Sequence, residues 1–247
     1  MYLEINPAFE FAKGFLQNIE SHFDAEKSSI HHVRNVIKKI TFESQAFIVK
    51  SFGTSNIINQ LVYGIFRDSK AKRSFQNANR LLASQISTAI PVAYGERRSF
   101  GIIRRSFFIS LKVDYDFDFH DINFARKPAC DKLFIQFAEF TFRMHQAGFL
   151  HLDYTPGNIL IKEKNTNFEF TIVDINRMKF GSVSWHTGAC SLGKINFKDS
   201  DMRLFAKKYA ELNKATEEEV WGAIQKSQQS FKAKKKLKKT LRFWRKK

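Results

Sequence analysis

The sequence predicts an α+β protein in two lobes, a small β-rich first lobe and a larger, mainly helical second one. Two observations carry that prediction. Strand-like runs dominate the first 113 residues, with one helical pattern among them, and helical spacing takes over beyond an acidic, aromatic stretch at residues 114–121. Size agrees with both: 247 residues, 43% of them hydrophobic and 15% aromatic, can bury a substantial core without disulfides, and the 27 phenylalanines are expected to carry much of it.

Taken in order, Arg34 to Phe42 (RNVIKKITF) alternates apolar and basic residues, and Ala46 to Ser51 (AFIVKS) is a short β-rich run, so the two predict a hairpin. From Ser69 to Leu82 the positions Ala71, Phe75, Ala78, Leu81 and Leu82 recur at helical spacing behind Ser69, a natural N-cap, and Pro91 follows the stretch that ends this helix. Strand-like runs return at Phe100 to Ile103 and Phe107 to Val113. The stretch Asp114 to Asp121 (DYDFDFHD) then reads as a connection and hinge. A long helix is predicted over Asp131 to Ala147, with Leu133, Phe134, Phe137, Ala138, Phe140, Thr141 and Met144 on its apolar side and Gly148 as its stop. The expected division is a first lobe over 1–113, a hinge over 114–121, a second lobe over 122–230 and a basic tail over 231–247.

Composition excludes several classes. Cys130 and Cys190 lie sixty positions apart with no CxxC and no histidine at ligand spacing, which argues against a disulfide framework and a zinc site and predicts a buried pair of reduced thiols. The first fifteen residues lack the basic-then-apolar order of a secretory signal, and no apolar run reaches a membrane span. The expectation is a chain on the cytoplasmic side, soluble or peripherally bound. Of the net charge of +17, ten charges fall in Lys232 to Lys247, which contains no acid; the body is left at +7. No nucleic-acid recognition motif accompanies that charge, so no specific nucleic acid is expected as partner.

The chemistry is concentrated in His151-Leu-Asp153-Tyr-Thr-Pro-Gly-Asn158, which has the form H-x-D-x-x-x-x-N and lies directly after the long helix. It is followed by two β-rich runs, the second of which ends in Asp174, twenty-one positions beyond Asp153, so the two acids can meet across a hairpin. Phosphoryl transfer asks for an acceptor hydroxyl held in line and for metal ions that neutralise charge on the phosphoryl oxygens. In that reading Asp153 orients the hydroxyl and takes its proton, Asn158 and Asp174 give oxygen ligands to magnesium, and His151 braces the loop. The alternative is a Pro-Gly turn with Asn158 as a cap. Lys50, at the end of an apolar run 103 residues before Asp153, is placed where a phosphate-contacting lysine is expected, the alternative being a solvated strand lysine.

The stretch MHQAGFLHLDYTPGNILI followed by VDINRMKFG resembles the catalytic loop and metal-binding D-x-x-R segment of the lipopolysaccharide kinase family, which includes Kdo kinase and the core heptose kinases, within the protein-kinase-like superfamily. Asp174 and Arg177 match the D-x-x-R, in place of the D-F-G of protein kinases. The likeness continues more weakly through RNVIKKI, IVKSF and SKAKRSF, over about residues 30 to 230. It implies a two-lobed kinase fold with ATP and Mg2+ in the cleft, Asp153 as catalytic base, and a sugar hydroxyl of an anionic membrane glycolipid as acceptor.

Several features depart from protein kinases. No A-P-E follows Asp174, and Thr155 stands where a lysine often follows the catalytic aspartate. No G-x-G-x-x-G occurs near residues 28–36, where Arg34 is the electrostatic substitute on offer. The helix over Ser69 to Gln85 contains no acid to pair with Lys50; the aligned position is Gln76, and Glu43 is an alternative acid. Three readings stay open: a glycolipid sugar kinase, a protein or soluble small-molecule kinase, and a pseudokinase scaffold. In the tail, Leu237, Leu241 and Trp244 at i, i+4 and i+7 among lysines and arginines predict a basic amphipathic helix for an anionic membrane surface, where each basic residue contributes about 1 kcal/mol; a solvated, disordered tail is the alternative.

Overall fold

The computed structural model describes residues 1–29, 35–53, 68–100, 102–123 and 130–244. The chain divides into two compact units, Met1–Val113 and Asp114–Lys247.

The first unit is built on a five-stranded antiparallel sheet. Strands β2 (Asn35–Phe42) and β3 (Gln45–Phe52) form the expected hairpin, closed by Glu43 and Ser44 with φ of 46° and 65°. Positive φ at both central residues is the type I′ geometry, whose twist matches that of the flanking strands. Strand β1 (Tyr2–Ile5) pairs with β4 (Pro91–Ser99), and β4 pairs with β5 (Ile102–Leu111), which runs beside β3. The two short runs expected at 100–103 and 107–113 are thus one strand. Arg104 and Arg105 interrupt its apolar pattern, but Arg105 is satisfied by Asp24 (2.7 and 2.9 Å) and Glu20 (3.2 Å). Strand β4 carried no alternation to read, because Pro91 to Glu96 is buried throughout.

One face of the sheet is covered by the N-terminal segment, including helices α1 (Lys13–Gln17) and α2 (Ile19–Ala25). Phe9, Phe15, Leu16, Ile19 and Phe23 bury against Phe47, Val49, Ala93, Phe107 and Ile109. Lys38 of β2 closes the α2 end, its Nζ donating to the carbonyls of Phe23 (2.7 Å) and Glu26 (2.6 Å). Helix α3 (Lys70–Ala83) begins as the sequence predicts: the Ser69 hydroxyl accepts from Lys72 N–H at 2.9 Å, and Ala71, Phe75, Ala78 and Leu81 are buried.

The second unit is organised around α5 (Asp131–Gln146), the predicted long helix, which Gly148 ends at φ +80°. Phe137 lies at the centre of its aromatic cluster, with ring centres 4.7 Å from Phe119, 5.2 Å from Phe205, 5.6 Å from Phe170 and 5.8 Å from Tyr154. Around it run β7 (Phe149–His151), the hairpin β8 (Ile159–Lys164) and β9 (Asn167–Ile172), β10 (Met178–Phe180), and helices α6 (Trp185–Ser191), α7 (Asp199–Asn213) and α8 (Glu217–Trp244). The stretch 114–121 is more than a connection. It holds β6 (Phe117–Asp118), paired with β8, and opens α4 (Phe119–Asn123), with Phe117 and Phe119 buried.

Two further expectations change. Cys130 is exposed and Cys190 half-buried, so the thiols are free but not a buried pair. The basic tail does not begin a new element at 231; it is the continuation of α8. That helix starts in a capping box between Thr216 and Glu219 and buries Val220, Trp221, Ala223 and Ile224 before it turns basic. Among the described residues no helix is long and apolar enough to cross a membrane.

His145 of α5 ties the helices together, its Nδ1 lying 2.8 Å from the Tyr209 hydroxyl of α7. Gly188 of α6 faces this pair so closely that a Cβ there would overlap both side chains. Burial pushes the His145 pKa down to about 4, and its Nε2 has no hydrogen-bond partner. Between pH 4 and 6.5 the unfolded chain therefore binds the proton and the folded chain does not, so this residue's contribution is complete above 6.5 and falls as pH drops through that window. At 1.36 kcal/mol per unit the loss is about 3 kcal/mol. Urea unfolding from pH 7 to 4 should show that fall, and His145→Gln should flatten it; an unchanged slope in the variant would refute the assignment.

Candidate active site

The long helix delivers the chain through Gly148 into β7, which pairs with β10, Met178 opposite His151. The ladder continues past the strand, with Leu152 N–H donating to Arg177 O at 2.9 Å. A 3-10 turn over Pro156–Asn158 then feeds β8. Ile159 pairs with Ile172, and Val173 N–H donates to Asn158 O at 2.9 Å, so Asn158 and Asp174 lie at the same end of the β8–β9 hairpin.

His151 joins these pieces. Its Nδ1 accepts from Asp153 N–H and its Nε2 donates to Val173 O, both at 3.0 Å. The two bonds fix the tautomer. Burial lowers the imidazole's pKa against the opposing pull of the Val173 carbonyl and of Asp174 and Asp153, which keeps the ring neutral and able to accept at one nitrogen while donating at the other. Tyr154, buried, anchors the loop to α5 through Thr141 at 3.0 Å.

Asp153 is one-third exposed. Lys194 Nζ donates to its Oδ1 at 2.5 Å and to Leu152 O at 3.1 Å, while Arg177 approaches Oδ2 at 3.9 Å. Burial alone would raise this carboxyl's pKa, but the hydrogen bond and charge of Lys194, with Arg177 and His151, hold it below the usual carboxylate range. Asp174 sits at φ +56°, a left-handed conformation that costs a non-glycine residue about 1–2 kcal/mol and that aspartate tolerates better than most. Asn176 Nδ2 holds its Oδ1 at 2.5 Å.

A divalent cation such as magnesium takes hard oxygen donors. Asn158 spends its amide nitrogen on Asp153 O at 2.9 Å, so its amide oxygen is the atom it could offer a cation, at the same hairpin end as Asp174. The donor set therefore fits such an ion.

The residues expected on the first unit lie as follows. Lys50 is on β3, in register with Ile37 and Phe108, its Nζ 5.4 Å from the Phe52 ring centre. Register and pleat put Lys50, Phe108 and Tyr94 on one face with Phe52, Ser106 and Glu96. Phe75 of α3 packs on Tyr94, centres 5.4 Å apart, so α3, which carries Gln76, covers the face from which Lys50 projects. Glu43 does not serve that lysine: it is exposed in the hairpin turn, about 20 Å down the strand at 3.4 Å per residue. The buried acid on the Lys50 face is instead Glu96, 3% exposed, two strands over and bound to Arg98 at 2.7 Å. Arg34 lies outside the described residues.

Sequence reading missed Lys194. It stands forty-one positions beyond Asp153 in a Leu-Gly-Lys turn with no motif around it, and only tertiary packing brings it to the loop. Beside it opens a cavity of about 320 Å³ lined by Leu152, Thr187, Ser227, Phe231 and Lys234.

With two β-bearing units and a loop of this geometry, the fold is protein-kinase-like. Among solved structures the chain is similar to WaaP, in a structure of WaaP in complex with acyl carrier protein, with a TM-score of 0.63 over 93% of this chain and 98% of that one at 17% identity, a likeness of fold. Residues 30–185 match the sequence model of the Lipopolysaccharide kinase (Kdo/WaaP) family, and the chain belongs to that family. No curated protein matches it.

His151→Ala should strand the Val173 carbonyl and the Asp153 N–H and lower stability by about 3 kcal/mol, as unsatisfied buried groups cost 1–3 kcal/mol each. Chemical denaturation of the full chain measures it, and a loss below about 1 kcal/mol would show that the histidine does not hold the two segments together.

Proposed function

We propose that the chain transfers the γ-phosphoryl group of ATP to a sugar hydroxyl of a lipopolysaccharide-type glycolipid at the cytoplasmic face of the membrane. Family membership supports a kinase of lipopolysaccharide synthesis and, with it, the use of ATP. The observation that carries the finer reading is the arrangement around His151, one imidazole bonded to the Asp153 backbone and to the residue before Asp174. In that arrangement Asp153 orients the acceptor hydroxyl and accepts its proton, while Asn158 and Asp174 would hold magnesium, which neutralises charge on the phosphoryl oxygens. Lys50 contacts the nucleotide phosphates, with Gln76 as a neutral neighbour in place of an acid.

The cavity beside Leu152, with Lys194 and Lys234 on its walls, favours an acceptor that carries negative charge. The basic half of α8 favours an anionic membrane surface as the place where that acceptor is met. A second reading, a nucleotide-binding scaffold without turnover, rests on the lack of an acid along α3.

Transfer of labelled γ-phosphate from ATP to purified lipopolysaccharide fractions is the deciding test. Asp153→Asn should lower the rate by about 10² to 10⁴ while leaving nucleotide bound. Asp174→Ala should abolish magnesium-dependent ATP binding in calorimetric titration, more severely than Lys50→Ala, because it removes the bridge to the phosphates. Nucleotide binding without transfer to any fraction would select the scaffold.

The membrane assignment has its own test. Removing Lys235–Lys247 leaves the buried start of α8 in place, so folding should persist while binding to vesicles containing anionic lipid falls at least about tenfold, as expected for losing several charges worth about 1 kcal/mol each. Added salt should weaken the intact chain's binding. Unchanged vesicle binding after truncation would refute the basic helix as the contact.

A further inference from the structure

Asp153 carries two oxygens with different surroundings. Oδ1 is taken by Lys194 at 2.5 Å, whereas among the described residues Oδ2 meets only the exposed Arg177, at 3.9 Å, beyond hydrogen-bond distance. A carboxylate on a single-bonded side chain can turn, and an acceptor hydroxyl must be met by one oxygen held in a fixed place. We propose that Lys194 is a positioning residue that fixes Asp153 with Oδ2 turned toward the acceptor hydroxyl, which rests on the role assigned to Asp153 above.

The support behind Lys194 is built to hold it still. It ends a 3-10 turn, Leu192–Lys194, locked onto α8 from both sides: Ser227 Oγ donates to Cys190 O and Gln228 Nε2 donates to Ile195 O, each at 2.7 Å. Gly193 lies so close to Ser227 that a Cβ there would overlap the serine hydroxyl. The same ammonium also donates to Leu152 O, so one group grips the loop's backbone and its carboxylate together. Thr155 occupies the loop position where protein kinases often carry a lysine, and the positive charge beside Asp153 arrives instead from a distant turn.

The test compares Lys194→Met, which keeps the stem and removes the charge, with Lys194→Arg, both in the full chain. On the glycolipid acceptor, Lys194→Met should lower kcat by about 100-fold, the scale of a misplaced reacting group, with the KM for ATP within about twofold of the parent. Lys194→Arg should recover at least about tenfold of that loss. A Lys194→Met enzyme with unchanged kcat overturns the proposal, as does a loss that Arg does not repair. Crystal structures of the parent and of Lys194→Met give a readout that needs no acceptor: the Asp153 carboxylate should rotate away from its parent position, and an unmoved carboxylate overturns the proposal whatever the rates. If the parent transfers no phosphate to glycolipid yet the carboxylate rotates, the acceptor assignment fails and the positioning role of Lys194 stands.

Discussion

The two hydrogen bonds of His151 are what the rest of the second unit's site depends on. Asp153 and Asp174 lie twenty-one positions apart on different segments, and His151 bonds to the backbone of the first and to that of the residue before the second. A neutral imidazole can do so because it accepts at one nitrogen and donates at the other across a rigid ring. Its protonation would turn the accepting nitrogen into a second donor, facing the Asp153 N–H, and the pairing would fail. Burial prevents that by penalising the charged form. The aromatic cluster around Phe137, which also seats Tyr154, therefore supports the chemistry through the dryness it provides as much as through its area.

Charge acts on two scales. The large surplus of +17 is mostly a property of the C-terminal end and is screened over roughly 8–10 Å at ordinary salt. The cations that shape the site are few and close. Burial raises the Asp153 pKa, and Lys194, reaching the carboxylate from a turn that is itself partly buried, outweighs that cost together with Arg177 and His151.

Legibility in the sequence followed locality. Helix α3, with its serine cap, and helix α5, with its terminal glycine, are written in residues within one or two turns of each other, and both appear where the spacing places them. The hairpins β2–β3 and β8–β9 were legible for the same reason, the second carrying the chain from Asn158 back to Asp174. Strand β4 was not, because burial along Pro91 to Glu96 erases alternation, and β5 was split by a pair of arginines, of which Arg105 finds its partners on α2. Lys194 is the same problem in the site: a lysine in a Leu-Gly-Lys turn looks like a solvated charge until the fold brings it to Asp153, forty-one positions earlier.

Helix α8 joins the local chemistry to the basic end of the chain. Its first half is core, and from that half Ser227 and Gln228 hold the turn that presents Lys194. Its second half, exposed through Phe231 and Leu237, runs on to Trp244 without a break. Seventeen residues of helix at 1.5 Å each put that end about 25 Å from Ser227. A flexible tail would tether the enzyme to a surface and leave its orientation free, at an entropic cost for each productive encounter. A continuous helix does otherwise. If its basic half rests on an anionic leaflet, the same rigid element that fixes Lys194 also fixes the direction in which Asp153 faces that leaflet, so membrane contact and the placing of the carboxylate become properties of one helix.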